Sequence, residues 1–437
     1  MMRLLRLTNP LLALLCTVCA VAQTAAPDGA APFVEDRARD GRVARMKTDD
    51  RIAYFQKAAS LKAGNAHYKV LLAGAYVQKM RETTDFGYIE RASTLVNAVL
   101  AADPQNYDAR RLRTEIQLEY HQFQKAVESS RELIRMHPSD PWNWGTLGDA
   151  LIEMGDYEQG ADAFQKMADL RPDLFSYNRA AHYRFLTNDP NGAVEIMQLA
   201  IRAGSSSPEN VAWCLVELGN IHFKTGRLNE AGEAYRSALR YFSGSHAAYA
   251  GLGKVYAAEG KLTDAVASYE HAKSITPLPD YAAALSGLYS LLGRKAEAAK
   301  QMQLVDVIYK LMRANNEKIN RNLSVIYSDH DRNLEVALEL AQAELDFRKD
   351  IYTYDALGWA LYKNKKYEDA EKAAAKAMLL ETPEPAFYYH AGMIASALGK
   401  REDAQKFLNR AMTLNAKFDL LQSKMAGELL AAQAIVH

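Results

Sequence analysis

The sequence has very little cysteine. Of three cysteines in 437 residues, Cys16 and Cys19 lie close to the N-terminus, and only Cys214 lies beyond. No intrachain disulfide can therefore staple the bulk of the chain, which must be held together by packing. Excess charge of either sign is also lacking, with 53 Lys and Arg against 53 Asp and Glu. That balance gives no electrostatic reason to expect nucleic acid or an acidic membrane surface as a partner. Strand signals are scarce, and the one Asn-Gly pair, Asn191–Gly192, joins two stretches of helical periodicity.

Recognisable catalytic and metal motifs are missing as well. Ten histidines are present, but none forms an H-x-x-x-H pair. With one cysteine past the N-terminal segment, a metal site is not expected. There is no G-x-x-x-x-G-K-[ST] phosphate loop and no G-x-S-x-G elbow. No cofactor and no catalytic residue are assigned, and an enzyme is not expected. Cys214 reads as a small buried apolar residue. The sequon Asn322-Leu323-Ser324 falls inside a helical stretch and carries no weight.

The N-terminus does carry a signal. Arg3 and Arg6 precede an apolar run from Leu11 to Ala22, which ends in Ala20-Val21-Ala22. This pattern reads as a secretory signal peptide over residues 1–22, and the run is too short to cross a bilayer. Removing it would leave 51 basic against 53 acidic residues. Residues 23–47 read as a linker. An exported, periplasmic or secreted bacterial protein is expected, with no membrane span after cleavage.

From Asp49 onward the chain is helical in pattern and repetitive. "PWNWGTLGDALIEMGDYEQGADAFQKMADLRP" (Pro141–Pro172) lines up with "HAAYAGLGKVYAAEGKLTDAVASYEHAKSITP" (His246–Pro277). Gly148 matches Gly253, Gly155 matches Gly260, Phe164 matches Tyr269 and Pro172 matches Pro277. A small residue recurs at Ala92, Ala126, Gly160, Ala193, Ala231, Ala265, Ala299, Ala337, Ala370 and Ala404, with spacings of 34, 34, 33, 38, 34, 34, 38, 33 and 34. A fixed period over ten copies is the mark of a solenoid. Each copy reads as two antiparallel helices. A glycine or alanine where they cross lets their axes approach, and Pro104, Pro138, Pro172 and Pro277 close the second helix.

This pattern resembles the tetratricopeptide repeat family, through Trp144, Leu147, Gly148, Phe164 and Pro172 in one copy and Leu252, Gly253, Tyr256, Ala265, Tyr269 and Pro277 in another. The resemblance implies an all-α, right-handed α-solenoid of about ten stacked helix-turn-helix units with terminal capping helices. The expected division is an N-terminal capping helix at 48–66, an array at 67–415 and a C-terminal capping helix at 416–437. Units would start near 67, 107, 141, 174, 212, 246, 280, 318, 351 and 385. Three irregularities stand out: a first turn lengthened at Met80–Ala92, a longer loop at Ala203–Asn210, and an extra helical turn near Val305–Asn320.

The resemblance also implies that ligands bind on the concave face, lined by the first helix of each unit. The candidate stripe there comprises Trp142, Asn178, His182, Trp213, Asn220, Lys224, Tyr352, Trp359, Tyr362 and Tyr389. Aromatic rings supply contact area, and Asn and Lys can bond the backbone of an extended segment. The Lys and Asn clamp of chaperone-tail binders in the family is missing, since Val216 precedes Asn220. The expected function is a non-enzymatic scaffold, monomeric, binding a protein or peptide segment in a bacterial envelope complex. The alternative is an accessory protein of exopolysaccharide export that binds carbohydrate or the export machinery.

Overall fold

The computed structural model describes Val43, residues 46–62, residues 64–314 and residues 320–434. The signal segment and most of the linker lie outside these residues. Twenty-two α-helices and no strand are present among the described residues. A first helix, α1 (Thr48–Leu61), precedes ten hairpins: α2 (Ala66–Thr83) with α3 (Gly87–Ala102), α4 (Tyr107–Glu119) with α5 (Phe123–Met136), α6 (Pro141–Glu153) with α7 (Tyr157–Leu170), and α8 (Leu174–Leu186) with α9 (Pro190–Ala203). Then come α10 (Pro208–Lys224) with α11 (Leu228–Tyr241), α12 (His246–Ala258) with α13 (Leu262–Ile275), and α14 (Pro279–Leu291) with α15 (Lys295–Ala314). The last three are α16 (Asn320–Asp329) with α17 (Leu334–Glu344), α18 (Ile351–Lys363) with α19 (Tyr367–Ala377), and α20 (Pro385–Ala397) with α21 (Arg401–Leu414). A final helix, α22 (Leu420–Ala434), packs on the last hairpin. The fold is an all-α repeat solenoid.

Local chemistry sets the helix ends. Asp140, Asp156, Asp173, Asp189 and Asp350 each cap a helix through a side-chain oxygen, and Pro141 and Pro190 occupy first helical positions. The second helices α3, α5, α7 and α13 each stop two residues before Pro104, Pro138, Pro172 and Pro277. The residue before a proline is pushed out of the helical region, which fixes the stop.

Close approach explains the glycine at Gly148. A Cβ there would stand 3.1 Å from the carbonyl oxygen of Gly160 and overlap the Phe164 ring. At Gly74 and Gly287 nothing lies within 4 Å, so close approach is not the reason for glycine at those two positions. The irregular stretches also resolve into helix. Residues near Met80 lengthen α2 to 18 residues, leaving only Thr84–Phe86 between α2 and α3. The loop before α10 is four residues, Gly204–Ser207, and α10 itself runs to 17. Near Val305 the extra residues extend α15 to 20.

The superhelix touches itself. Lys349 donates its backbone N–H to the Glu153 carbonyl at 2.9 Å, and Ile351 donates its own to the Tyr157 hydroxyl at 2.8 Å. One hairpin further, Thr382 donates its hydroxyl to the Leu186 carbonyl at 2.6 Å. One further again, the Asn415 amide donates to the Phe223 carbonyl at 2.7 Å. These three side-chain bonds join residues 194, 196 and 192 apart. The turn inside one hairpin therefore rests on the loop between hairpins one superhelical turn later. Gly155 and Gly226 fit this seam for two reasons. Both have φ near +80° and +75°, and an added Cβ would stand 2.6 Å from Lys349 O and 2.8 Å from Leu414 O.

Candidate functional site

The first helices meet across the inside of the superhelix. Gln78 of α2 donates to Glu209 of α10 at 3.0 Å, and between neighbouring hairpins Arg321 of α16 pairs with Asp350, the cap of α18, at 2.7 Å. At the level of the seam, the Lys224 ammonium at the end of α10 lies 2.6 Å from the Glu384 carboxylate at the start of α20. The same ammonium lies over the Phe185 ring at 5.1 Å and the Tyr352 ring at 5.6 Å.

A cavity of about 50 Å³ opens here. It is lined by His182 and Phe185 of α8, Met197 of α9, Trp213, Glu217, Asn220, Ile221 and Lys224 of α10, and Tyr352 of α18. Five of the ten candidate residues, His182, Trp213, Asn220, Lys224 and Tyr352, thus converge on one opening. Three hairpins supply them, one of these from the next superhelical turn. Trp213 is 46% exposed and offers its ring to the cavity. Asn220 is oriented at both ends: the Tyr235 hydroxyl donates to its oxygen at 2.8 Å, and its amide donates to Glu217 at 3.1 Å.

The electrostatics follow from depth. His182 keeps an exposed edge, but it is surrounded by protein, and burial together with the Lys224 ammonium pulls its imidazole down to about 4. It is neutral at pH 7. Burial pushes the Tyr352 phenol up to about 12. Burial alone would pull the Lys224 ammonium down, but the Glu384 carboxylate and the Tyr352 phenol outweigh it and its pKa is raised. Burial raises the Glu217 carboxyl against the opposing pull of Lys224 and the Asn220 amide.

The other five candidates lie elsewhere. Trp142 is half-buried, edge-on to Phe175 at 5.4 Å, with the Arg111 and Arg179 guanidiniums over its ring at 5.9 and 5.7 Å. Arg179 is itself held by Asp149 at 2.6 Å. Asn178 is 9% exposed and packs beside the Cys214 thiol. Trp359 is 2% exposed and Tyr389 is 1% exposed, so neither presents a surface for a ligand. Trp359 stacks between Tyr362 at 4.8 Å and His390 at 4.2 Å, and its indole N–H donates to Asp329 at 2.8 Å. Tyr362 is half-buried as part of that stack.

Glu217 is not in the candidate stripe, which comprises aromatic rings with Asn, His and Lys. The available signal was spacing, since Glu217 follows Trp213 by four residues and so shares its helix face. Among the described residues no group of His, Cys, Asp and Glu is arranged to hold a metal ion, and no helix is long and apolar enough to cross a membrane.

A tetratricopeptide repeat family model matches residues 146–208 and 216–282, and a second matches residues 385–418. The chaperone protein YscY of Yersinia enterocolitica and of Yersinia pestis is 31% identical over 85 residues, covering 20% of this chain and 75% of YscY. The chain belongs to the tetratricopeptide repeat family. Structures of other proteins show a looser likeness. The type IV pilus biogenesis factor PilW aligns with a TM-score of 0.42 at 13% identity, over 47% of this chain and 94% of its own. Yeast Tom70 aligns with a TM-score of 0.38 at 14% identity, over 91% and 94%. A repeat protein from Parabacteroides merdae aligns with a TM-score of 0.34 at 17% identity, over 60% and 98%. Tetratricopeptide repeat proteins are in general interaction scaffolds rather than enzymes, and this chain shares their fold.

Proposed function

We propose that this protein is an exported, non-enzymatic scaffold that holds an extended protein or peptide segment against the inner face of its superhelix, within a bacterial envelope complex. The observation that carries this reading is the convergence of His182, Trp213, Asn220, Lys224 and Tyr352 on one opening between two superhelical turns. An exposed indole beside oriented amide and charged groups suits a segment that needs both apolar contact and backbone hydrogen bonds. Export rests on the Arg3 and Arg6 flank and the apolar run ending at Ala22. The chaperone role in the name of YscY, over the stretch it shares, is in keeping with a protein-binding groove.

The test is site-specific photo-crosslinking in a bacterial host, with a benzophenone side chain at position 213 and, as a control, at Glu233, which is exposed on α11. A discrete protein adduct at 213 that is absent at 233 is expected. Adducts of the same pattern at both positions, or none at 213, would sink the groove reading. Osmotic shock of the same cells should release the chain. Retention in the cytoplasm with residues 1–22 uncut would remove the export reading.

A further inference from the structure

The geometry points to a basic selectivity in this groove: the Trp213–Glu217 face of α10 receives a lysine or arginine side chain of the bound segment. This rests on the reading above that an extended segment occupies the inner face. Trp213 and Glu217 lie one helical turn apart on α10 and line the same cavity. Glu217 takes one hydrogen bond, from the Asn220 amide at 3.1 Å, and makes no ion pair among the described residues.

Two of the cations nearby are committed. Lys224 is held by Glu384 at 2.6 Å, and Arg321 by Asp350 at 2.7 Å. Lys254 of α12 faces Glu217 and Asp280 but forms an ion pair with neither among the described residues, and desolvation together with Lys224 lowers its ammonium pKa. His182 carries no charge at neutral pH. Among the residues that line the cavity, Glu217 and Lys224 carry the charges, and Lys224 is already committed to Glu384.

A carboxylate withdrawn from water without a cation is costly, and a cation delivered by the ligand removes that cost. The geometry suits this exchange. A guanidinium or ammonium can reach Glu217 while its stem lies on the exposed indole, gaining cation–π attraction as well. The cavity of about 50 Å³ takes the head of one side chain and cannot take a helix.

The test is a random peptide library displayed on phage and panned against the whole chain from residue 23 onward and against its Glu217→Gln variant. The variant keeps the side-chain shape and breaks no ion pair, so its fold should persist, and circular dichroism checks this. The wild type should enrich one basic position, and Glu217→Gln should lose that enrichment. For a recovered peptide, Glu217→Gln and a change of the peptide's basic residue to Gln should each weaken binding about tenfold and, combined, no further. Peptides enriched without a basic position, or with one that survives Glu217→Gln, overturn this inference and leave the groove reading standing. No enriched peptide with the wild type overturns both.

Discussion

The Tyr157 hydroxyl accepts a hydrogen bond from the backbone N–H of Ile351 at 2.8 Å, across 194 residues of sequence. Ile351 is the first residue of α18, so its N–H has no partner within the helix. A hydroxyl from the previous superhelical turn satisfies it. Tyr157→Phe keeps the ring and leaves that buried N–H unpaired, which should cost about 1–3 kcal/mol. A urea melt followed by circular dichroism reads this as a lower midpoint. An unchanged midpoint would mean that the turns do not meet there in solution.

Two glycines separate backbone strain from contact. Gly155 and Gly260 both sit in hairpin turns, with φ of +80° and +78°. A Cβ at Gly155 would stand 2.6 Å from the Lys349 carbonyl oxygen, whereas at Gly260 nothing lies within 4 Å. Gly260→Ala should therefore carry only the left-handed penalty of about 1 kcal/mol. Gly155→Ala should carry that penalty and also push the turns apart. Small-angle scattering should show a larger radius of gyration for Gly155→Ala alone. Equal radii for both variants would remove the seam as the source of compactness.

Trp359 behaves as core. It is 2% exposed and stacks on His390, which bonds Asp355 at 2.9 Å. Trp359→Ala should cost about 3–5 kcal/mol in stability. Binding measured well below the melting transition should be unchanged. Loss of binding with the fold intact would return Trp359 to the groove.

The contrast between Trp213 and Trp359 shows what could be read in advance. Hairpin formation is local, so the spacing of Gly148, Gly160, Phe164 and Pro172 was enough to identify the unit. Helical spacing was also enough to place Trp213, Asn220 and Lys224 on one face of α10. Which members of the candidate stripe stay open depends on neighbours that spacing does not encode. Trp359 is covered by Tyr362, His390 and Tyr389 from its own and the next hairpin. Tyr352 reaches Lys224 only because the superhelix closes after 192–196 residues. That distance depends on small rotations summed over several hairpins, and no single repeat records it.

His222 ties stability to pH. It is 8% exposed at the end of α10, and burial, then the Arg227 guanidinium, holds its imidazole down to about 4. Between that value and the ordinary 6.5, the unfolded chain binds a proton that the folded chain does not. Stability from this group is therefore present above pH 6.5 and is lost as pH falls towards 4, by up to about 3 kcal/mol. His222→Gln cannot charge, so its urea midpoint should fall less than the wild type's between pH 7 and pH 4.5. Parallel falls would place the acid sensitivity in other groups.

Cys214 can report whether the seam protects α10. Its thiol is fully buried, and burial pushes its pKa up to about 12. At pH 8 a thiol reagent can reach it only after local opening. In a chain made from residue 23 onward it is the one cysteine, so labelling is unambiguous. An opening free energy of about 4 kcal/mol would slow labelling about a thousandfold relative to the unfolded chain. Asn415 holds the Phe223 carbonyl of the same helix at 2.7 Å. Asn415→Ala removes that bond across the seam and leaves the carbonyl to its local partner, the Gly226 N–H at 3.0 Å, which should make α10 open more readily and Cys214 react several-fold faster. Gly260→Ala, in a turn with no seam contact, should leave the rate unchanged. If Asn415→Ala labels at the wild-type rate, α10 is protected by its own hairpin and the next, and the seam contributes compactness without protection.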